Sequence, residues 1–209
     1  MESKSHSHDP RVAAWKSANA TYPEAPPFHP SEAYPECAHA ALGPANPIYS
    51  GVRQLFRLLE LDAANYGSAQ WNPLGTIIRP GDKVVIKPNF LWHSHRYKPE
   101  QWIQVITHGS VIRAVADYAL LALKGKGAIW IADGPQFDAE WDGIVSRTGI
   151  AEVCAHYRKT SSVPVELLDL RDTHTIVRGD VAYGRVQLPG DPAGSTEIDL
   201  AAASRSEEH

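Results

Sequence analysis

The chain has 209 residues, of which 43% are hydrophobic, 21% charged and 9% aromatic. That supplies one sizeable core and rather little for two full domains. Lys plus Arg number 20 against 24 Asp plus Glu, a formal net charge of −4, so no basic field exists for coating nucleic acid.

The longest apolar run, Tyr118-Ala-Leu-Leu-Ala-Leu123, falls far below the ~20 residues that span a bilayer, so no membrane partner is expected. The first eight residues contain no hydrophobic segment of the secretory kind. Cys37 and Cys154 are the only cysteines. Two thiols cannot hold a four-thiolate iron–sulfur cluster, and their wide spacing points to a reducing cytoplasm.

Residues 1–47 carry prolines at 10, 23, 26, 27, 30, 35, 44 and 47, which break regular structure. Trp15, Tyr22, Phe28 and Tyr34 nevertheless call for a surface to dock on. The expectation is an arm laid on the rest of the chain after a tail of about ten residues. Residues 48–209 are expected to form a single α/β domain.

Ile48, Val52, Leu55, Phe56 and Leu59 mark one face of a helix, with Pro47 suited to its first turn. Asp62 to Gly75 reads as a loop and Arg79-Pro-Gly-Asp82 as a turn. Lys83-Val-Val-Ile-Lys87 is a short strand that stops at Pro88-Asn89. Ser110 to Leu123 shows a helical apolar face, ended by Lys124-Gly-Lys-Gly127. Ala128 to Ala132 is a second strand, Trp141 to Tyr157 a helix with Gly149 as its interruption, and Val165 to Leu170 a third strand. Thr175 to Leu188, turning near Gly179-Asp180, reads as a hairpin.

Near-continuous apolar strands alternating with helices predict parallel pairing and right-handed crossovers. The expected fold is therefore α/β, three-layer and Rossmann-like, with a mainly parallel sheet, an added C-terminal hairpin, and an incomplete sheet edge. Such an edge favours a homo-oligomer or a partner chain.

In an open parallel sheet, ligands bind beyond the carboxyl ends of the strands. Those ends carry Lys87, Asn89, His93, Asp133, Gln136, Asp169 and Arg171. Lys87 could hold an anion or act as a base; alternatively it reaches solvent or pairs with Asp133. Asp133 could act as an acid/base group or ligate a divalent cation; alternatively it binds the amides of its own turn. Thr107-His-Gly-Ser110 opens a helix whose N-terminus suits a phosphate or carboxylate, with His108, Ser110 and Arg113 as donors; the more ordinary role of Thr107 and Ser110 is to cap the helix. His93-Ser-His95 could chelate a metal with Asp133, although Arg96 and Lys98 oppose cation binding. His6-Ser-His8 lies in the tail and reads as incidental.

The expected catalytic pair is thus Lys87 and Asp133. The expected ligand contacts are Asn89, His108, Ser110, Arg113, Gln136 and Arg171. A divalent metal on Asp133 and His93 is the one cofactor in view. Lys87, His108, Arg113 and Asp133 are expected to converge in one cleft. No dinucleotide fingerprint, phosphate-binding lysine loop, nucleophile elbow or His-Glu-x-x-His helix is present. Cys154 reads as core.

Four ordered segments carry a family resemblance: Trp71-Asn-Pro-Leu-Gly75, Pro80-Gly-Asp-Lys-Val-Val-Ile-Lys-Pro-Asn89, Thr107-His-Gly-Ser-Val-Ile-Arg113 and Ile131-Ala-Asp-Gly-Pro-Gln136. Together they resemble the domain of unknown function 362 family, in the version found beside polysaccharide and cell-surface glycan genes. The resemblance implies a cytoplasmic α/β protein with no agreed general activity. Some relatives carry ferredoxin-type cysteine clusters; with two cysteines, this chain does not inherit electron transfer. Family members continue past the region of Gly190-Asp-Pro192 into a lysine-rich strand and turn. This chain instead ends at Ser204-Arg-Ser-Glu-Glu-His209, so the resemblance covers roughly the first half of the family domain, and a gene fragment, a shortened paralogue and one part of a split protein are the alternatives.

Three readings of function follow. One is an enzyme, or its remnant, acting on a small anionic metabolite of surface-polysaccharide metabolism. Another is a non-catalytic binding or assembly module. The third is a truncated chain without independent activity.

Overall fold

The computed structural model describes residues 10–18, 21–37, 41–179 and 181–196. The first nine residues with His6 and His8, Asp180 of the expected hairpin turn, and the stretch 197–209 lie outside the described residues.

Three strands, β1 (Lys83–Ile86), β2 (Ala128–Asp133) and β3 (Val165–Asp169), form one sheet in the order β1-β2-β3. Both pairings are parallel, as the apolar runs predict, with Val85 opposite Trp130 and Trp130 opposite Glu166. Helix α1 (Pro47–Leu58) precedes the sheet; α2 (Gly109–Leu123) links β1 to β2, and α3 (Trp141–Thr148) with α4 (Ile150–Thr160) links β2 to β3. Strands β4 (Thr173–Arg178) and β5 (Val181–Gln187) pair antiparallel as a separate hairpin.

Local chemistry sets the helix ends. Asn46 caps α1, its side-chain oxygen accepting from Tyr49 N at 3.2 Å, and Pro47 fills the first turn. Gly149, left-handed at φ 66°, separates α3 from α4 as expected. A Cβ there would lie 2.9 Å from the Phe28 ring, so glycine also lets the arm approach. At the end of α2, Lys124 itself takes the left-handed cap at φ 50°, ahead of the glycines. Gly127 (φ 108°) then lets the chain pass the Asp82 carbonyl, which a Cβ would meet at 2.2 Å.

Alternation along the strands decides the layers. Ile129, Ile131 and Val165 are buried with Ile112, Ala116, Leu123 and Val153 of the helices. On the opposite face Val85 is 56% exposed, and the Lys83 ammonium lies 3.9 Å over the Trp130 ring. Sequential strand order with right-handed crossovers places both returning connections on one side of the sheet. The layers are therefore the sheet, then α2 with α4, then α1 with the arm. A helical layer on the other sheet face is not among the described residues, which matches an incomplete Rossmann-like fold.

The arm is bound by its aromatic and polar groups. Phe28 and Tyr34 are buried, and the Asn46 amide donates to the carbonyls of Phe28 and His29. Glu36 accepts from Arg53 at 2.6 Å and from the Tyr118 hydroxyl at 2.8 Å.

Candidate functional site

Asp133 ends β2 with 5% of its surface exposed. Its Oδ2 accepts from the buried Phe90 N at 2.7 Å, and its Oδ1 from Gly134 N at 2.9 Å. Lys87 Nζ lies 3.0 Å from the same Oδ1 and donates to the Pro88 carbonyl at 3.2 Å, while two thirds of its side chain meets solvent. These two residues come together, and the carboxylate ties the end of β1 to the end of β2.

The other half of the expected group lies elsewhere. His108 is the cap of α2: its Nδ1 accepts from Ser110 N at 3.2 Å and lies 2.9 Å from Ser110 Oγ. Thr107 does not cap the helix; its Oγ1 accepts from Asn89 N instead. Burial lowers the His108 pKa to about 4, so the ring is neutral at pH 7. Arg113 is buried on α2, where Nε donates to Asp117 at 3.0 Å and Nη1 to the Pro27 carbonyl. Its guanidinium holds the arm. Lys87 with Asp133, His108, and Arg113 thus occupy three separate places, because α2 turns successive residues to different faces. The expected single cleft is corrected to that extent.

Arg171 is also built into the fold. It pairs with Asp169 at 2.6 Å and donates to the carbonyls of Gln136 and Ala139. Ser110 is fully buried, whereas Asn89 and Gln136 are exposed at the strand ends. His93 Nδ1 accepts from Glu140 N at 3.0 Å, and burial lowers the His93 pKa. Among the described residues no three His, Cys, Asp or Glu side chains gather as a metal would need.

The carboxyl edge nevertheless holds a cleft of about 700 Å³. Its walls are Leu91, Trp92 and residues 94–97 after β1, Gln136, Phe137 and Asp138 after β2, and Val177 and Ala182 of the hairpin. Gln136 N donates to the Leu91 carbonyl, and Thr175 N to the Phe137 carbonyl, which fixes the three walls to one another. Ser94 is 9% exposed at this cleft. His95 Nδ1 accepts from the backbone N–H of Tyr97 and of Lys98, so the proton of the neutral ring sits on Nε2. Tyr97 and Phe137 expose 81% and 61% of their surfaces, and Arg96 brings a guanidinium against one carboxylate, Asp138.

Of the expected contacts only Gln136 lines this cleft. Ser94, His95, Arg96, Tyr97 and Phe137 are the residues that sequence reasoning did not assign to an anion. One signal pointed there: a 22-residue connection, 87–108, rich in aromatic and basic residues between β1 and α2, a length that is uncommon without a function.

No helix among the described residues is long and apolar enough to cross a membrane. No curated protein and no solved structure matches the chain. The family described as Domain of unknown function (DUF362) matches residues 84–191, from within β1 through the hairpin; this is more than half of the chain, and the protein belongs to that family.

Proposed function

We propose that the protein binds a small anionic metabolite in the carboxyl-edge cleft, a phosphate- or carboxylate-bearing, sugar-linked compound of cytoplasmic surface-polysaccharide metabolism. The observation that carries this reading is the composition of the cleft at the place where parallel sheets bind ligands. Arg96 supplies charge, Ser94 and the His95 Nε2–H supply directed hydrogen bonds, and Tyr97 and Phe137 offer flat apolar faces for a ring. As an enzyme, the protein would use Lys87 and Asp133 for proton handling at the strand ends. Binding without turnover is the second reading. It is favoured by Asp133, whose two oxygens already serve Phe90, Gly134 and Lys87.

Calorimetric titration with inorganic phosphate, glucose 1-phosphate and glucuronate, each with and without magnesium, tests the proposal. The sugar anions should bind more tightly than phosphate, and Arg96→Glu should weaken them at least tenfold while leaving the melting temperature unchanged. Absence of saturable binding at millimolar ligand, or binding indifferent to Arg96→Glu, overturns it. A magnesium requirement would place a divalent metal in the site; turnover lost in Lys87→Met would decide for the enzyme.

A further inference from the structure

A second cavity, of about 550 Å³, lies beneath the arm. Tyr22 and Phe28 of the arm close one side, Trp102 another, and the α3–α4 junction at Arg147 and Gly149 a third. His108 lines it with only 6% of its surface exposed. Because Nδ1 accepts from Ser110 N, the neutral ring carries its proton on Nε2. Among the described residues nothing accepts from that Nε2–H. It is also not one of the enclosed nitrogens left without a partner, as Nδ1 of His29 and Nε2 of His174 are. The donor therefore opens on the cavity, and a buried donor facing a cavity is completed by an acceptor that enters it.

The walls select the shape of that acceptor's carrier. His108 is stacked between Tyr22, at 4.5 Å and 22°, and Trp102, at 5.8 Å and 20°. Phe28 tilts against the same ring at 4.9 Å. This cluster gives the cavity an aromatic wall, against which an apolar ring packs better than a hydrated ion does. Charge narrows the class further. Arg147 is the cation of the lining, and Glu24 and Glu152 are its two carboxylates. A dianionic phosphate would meet more repulsion than attraction there, whereas one negative charge can be placed against Arg147 and the His108 donor.

We infer that the cavity beneath the arm is a binding site, separate from the carboxyl-edge cleft, for a planar monocarboxylate such as an aromatic acid. The acid's carboxylate accepts from His108 Nε2–H and pairs with Arg147, and its ring packs on the aromatic wall of Tyr22, Phe28 and Trp102.

Benzoate is the probe, followed by quenching of tryptophan emission and by calorimetry on the full chain, with benzamide, cyclohexanecarboxylate and inorganic phosphate for comparison. Benzoate should saturate at low millimolar concentration or below, ahead of all three. His108→Asn keeps an acceptor for the helix cap but removes the Nε2–H, and should weaken benzoate at least tenfold. Arg147→Glu changes an exposed residue, so the fold is retained; it should weaken benzoate by a similar factor with an unchanged melting temperature. Arg96→Glu, in the other cleft, should leave benzoate binding as it is. The inference is overturned if benzoate does not saturate, if phosphate binds more tightly, if Arg147→Glu is without effect, or if Arg96→Glu is the variant that abolishes binding.

Discussion

The helical side of the molecule and its carboxyl edge use charge in opposite ways. On the helical side, Asp117 accepts from Arg113, Tyr49 and Tyr157, and Glu36 accepts from Arg53 and Tyr118. Those groups are buried or nearly so, and burial together with the neighbouring carboxylate raises the Tyr157 pKa well above its usual value. At the carboxyl edge, Lys87, Arg96 and Tyr97 face solvent, and every residue of β5 is exposed. A buried charge enclosed by its own partners is closed to a ligand; an exposed one at the sheet edge lies where an anion in solution can reach it. The comparison therefore separates cations that hold the arm from cations that can recruit an anion.

The sharpest way to break it is Asp117→Ala. The substitution strands a buried guanidinium and two hydroxyls, and should cost about 3–5 kcal/mol in urea denaturation. A loss below about 1 kcal/mol would mean that the network does not anchor the arm.

Acid should act on the same side. His108 titrates near 4 when folded and near its ordinary 6.5 when unfolded. The unfolded chain thus binds the proton first, and stability is lost as pH falls from 6.5 towards 4. The loss from His108 is on the order of 3 kcal/mol, and His156, also lowered to about 4 mainly by burial, acts in the same direction. Melting curves at pH 7 and pH 4.5 should show the decline, and His108→Asn should flatten it.

A smaller difference is expected within the strand-end pair. Asp133→Ala leaves the buried Phe90 N–H without its acceptor and should cost about 1–3 kcal/mol. Lys87→Ala removes a largely exposed partner and should cost below about 1 kcal/mol. Equal effects would show the pair to be one structural unit. Least of all, Tyr183→Ser on the exposed strand should stay within about 0.5 kcal/mol; a larger loss would reveal packing on the hairpin that its 64% exposure does not indicate.

Much of the fold was legible because its signals are local. The apolar runs at 84–86, 128–132 and 165–168 are too short for helices and are bounded by glycine or proline, so strands follow. Gly149 marked the break between α3 and α4 from sequence alone. The candidate site was less legible because its residues acquire meaning from partners far along the chain. Arg113 reads as an anion contact until Pro27, 86 residues earlier, accepts from it. Arg171 reads likewise until the carbonyls of Gln136 and Ala139 close on it. The i, i+4 spacing of Arg113 and Asp117 was a local warning that this cation had a partner. Nothing local says that the hairpin supplies the third wall of the carboxyl-edge cleft, since that depends on the bond from Thr175 to Phe137.

The sequential strand order has a consequence for how the chain matures. Lys83 waits for Ala128 and Ile129 for Val165, so each strand finds its partner in the next one made. A ribosome emitting the chain from its N-terminus can release β1, α2 and β2 as a closing unit before β3 exists. The arm, made first, is held in reserve: Glu36 meets Tyr118 only after 82 further residues. Its docking on α2 completes a surface that assembles later, so nascent chains stalled before residue 118 should leave the arm open to protease, and chains stalled beyond α4 should protect it.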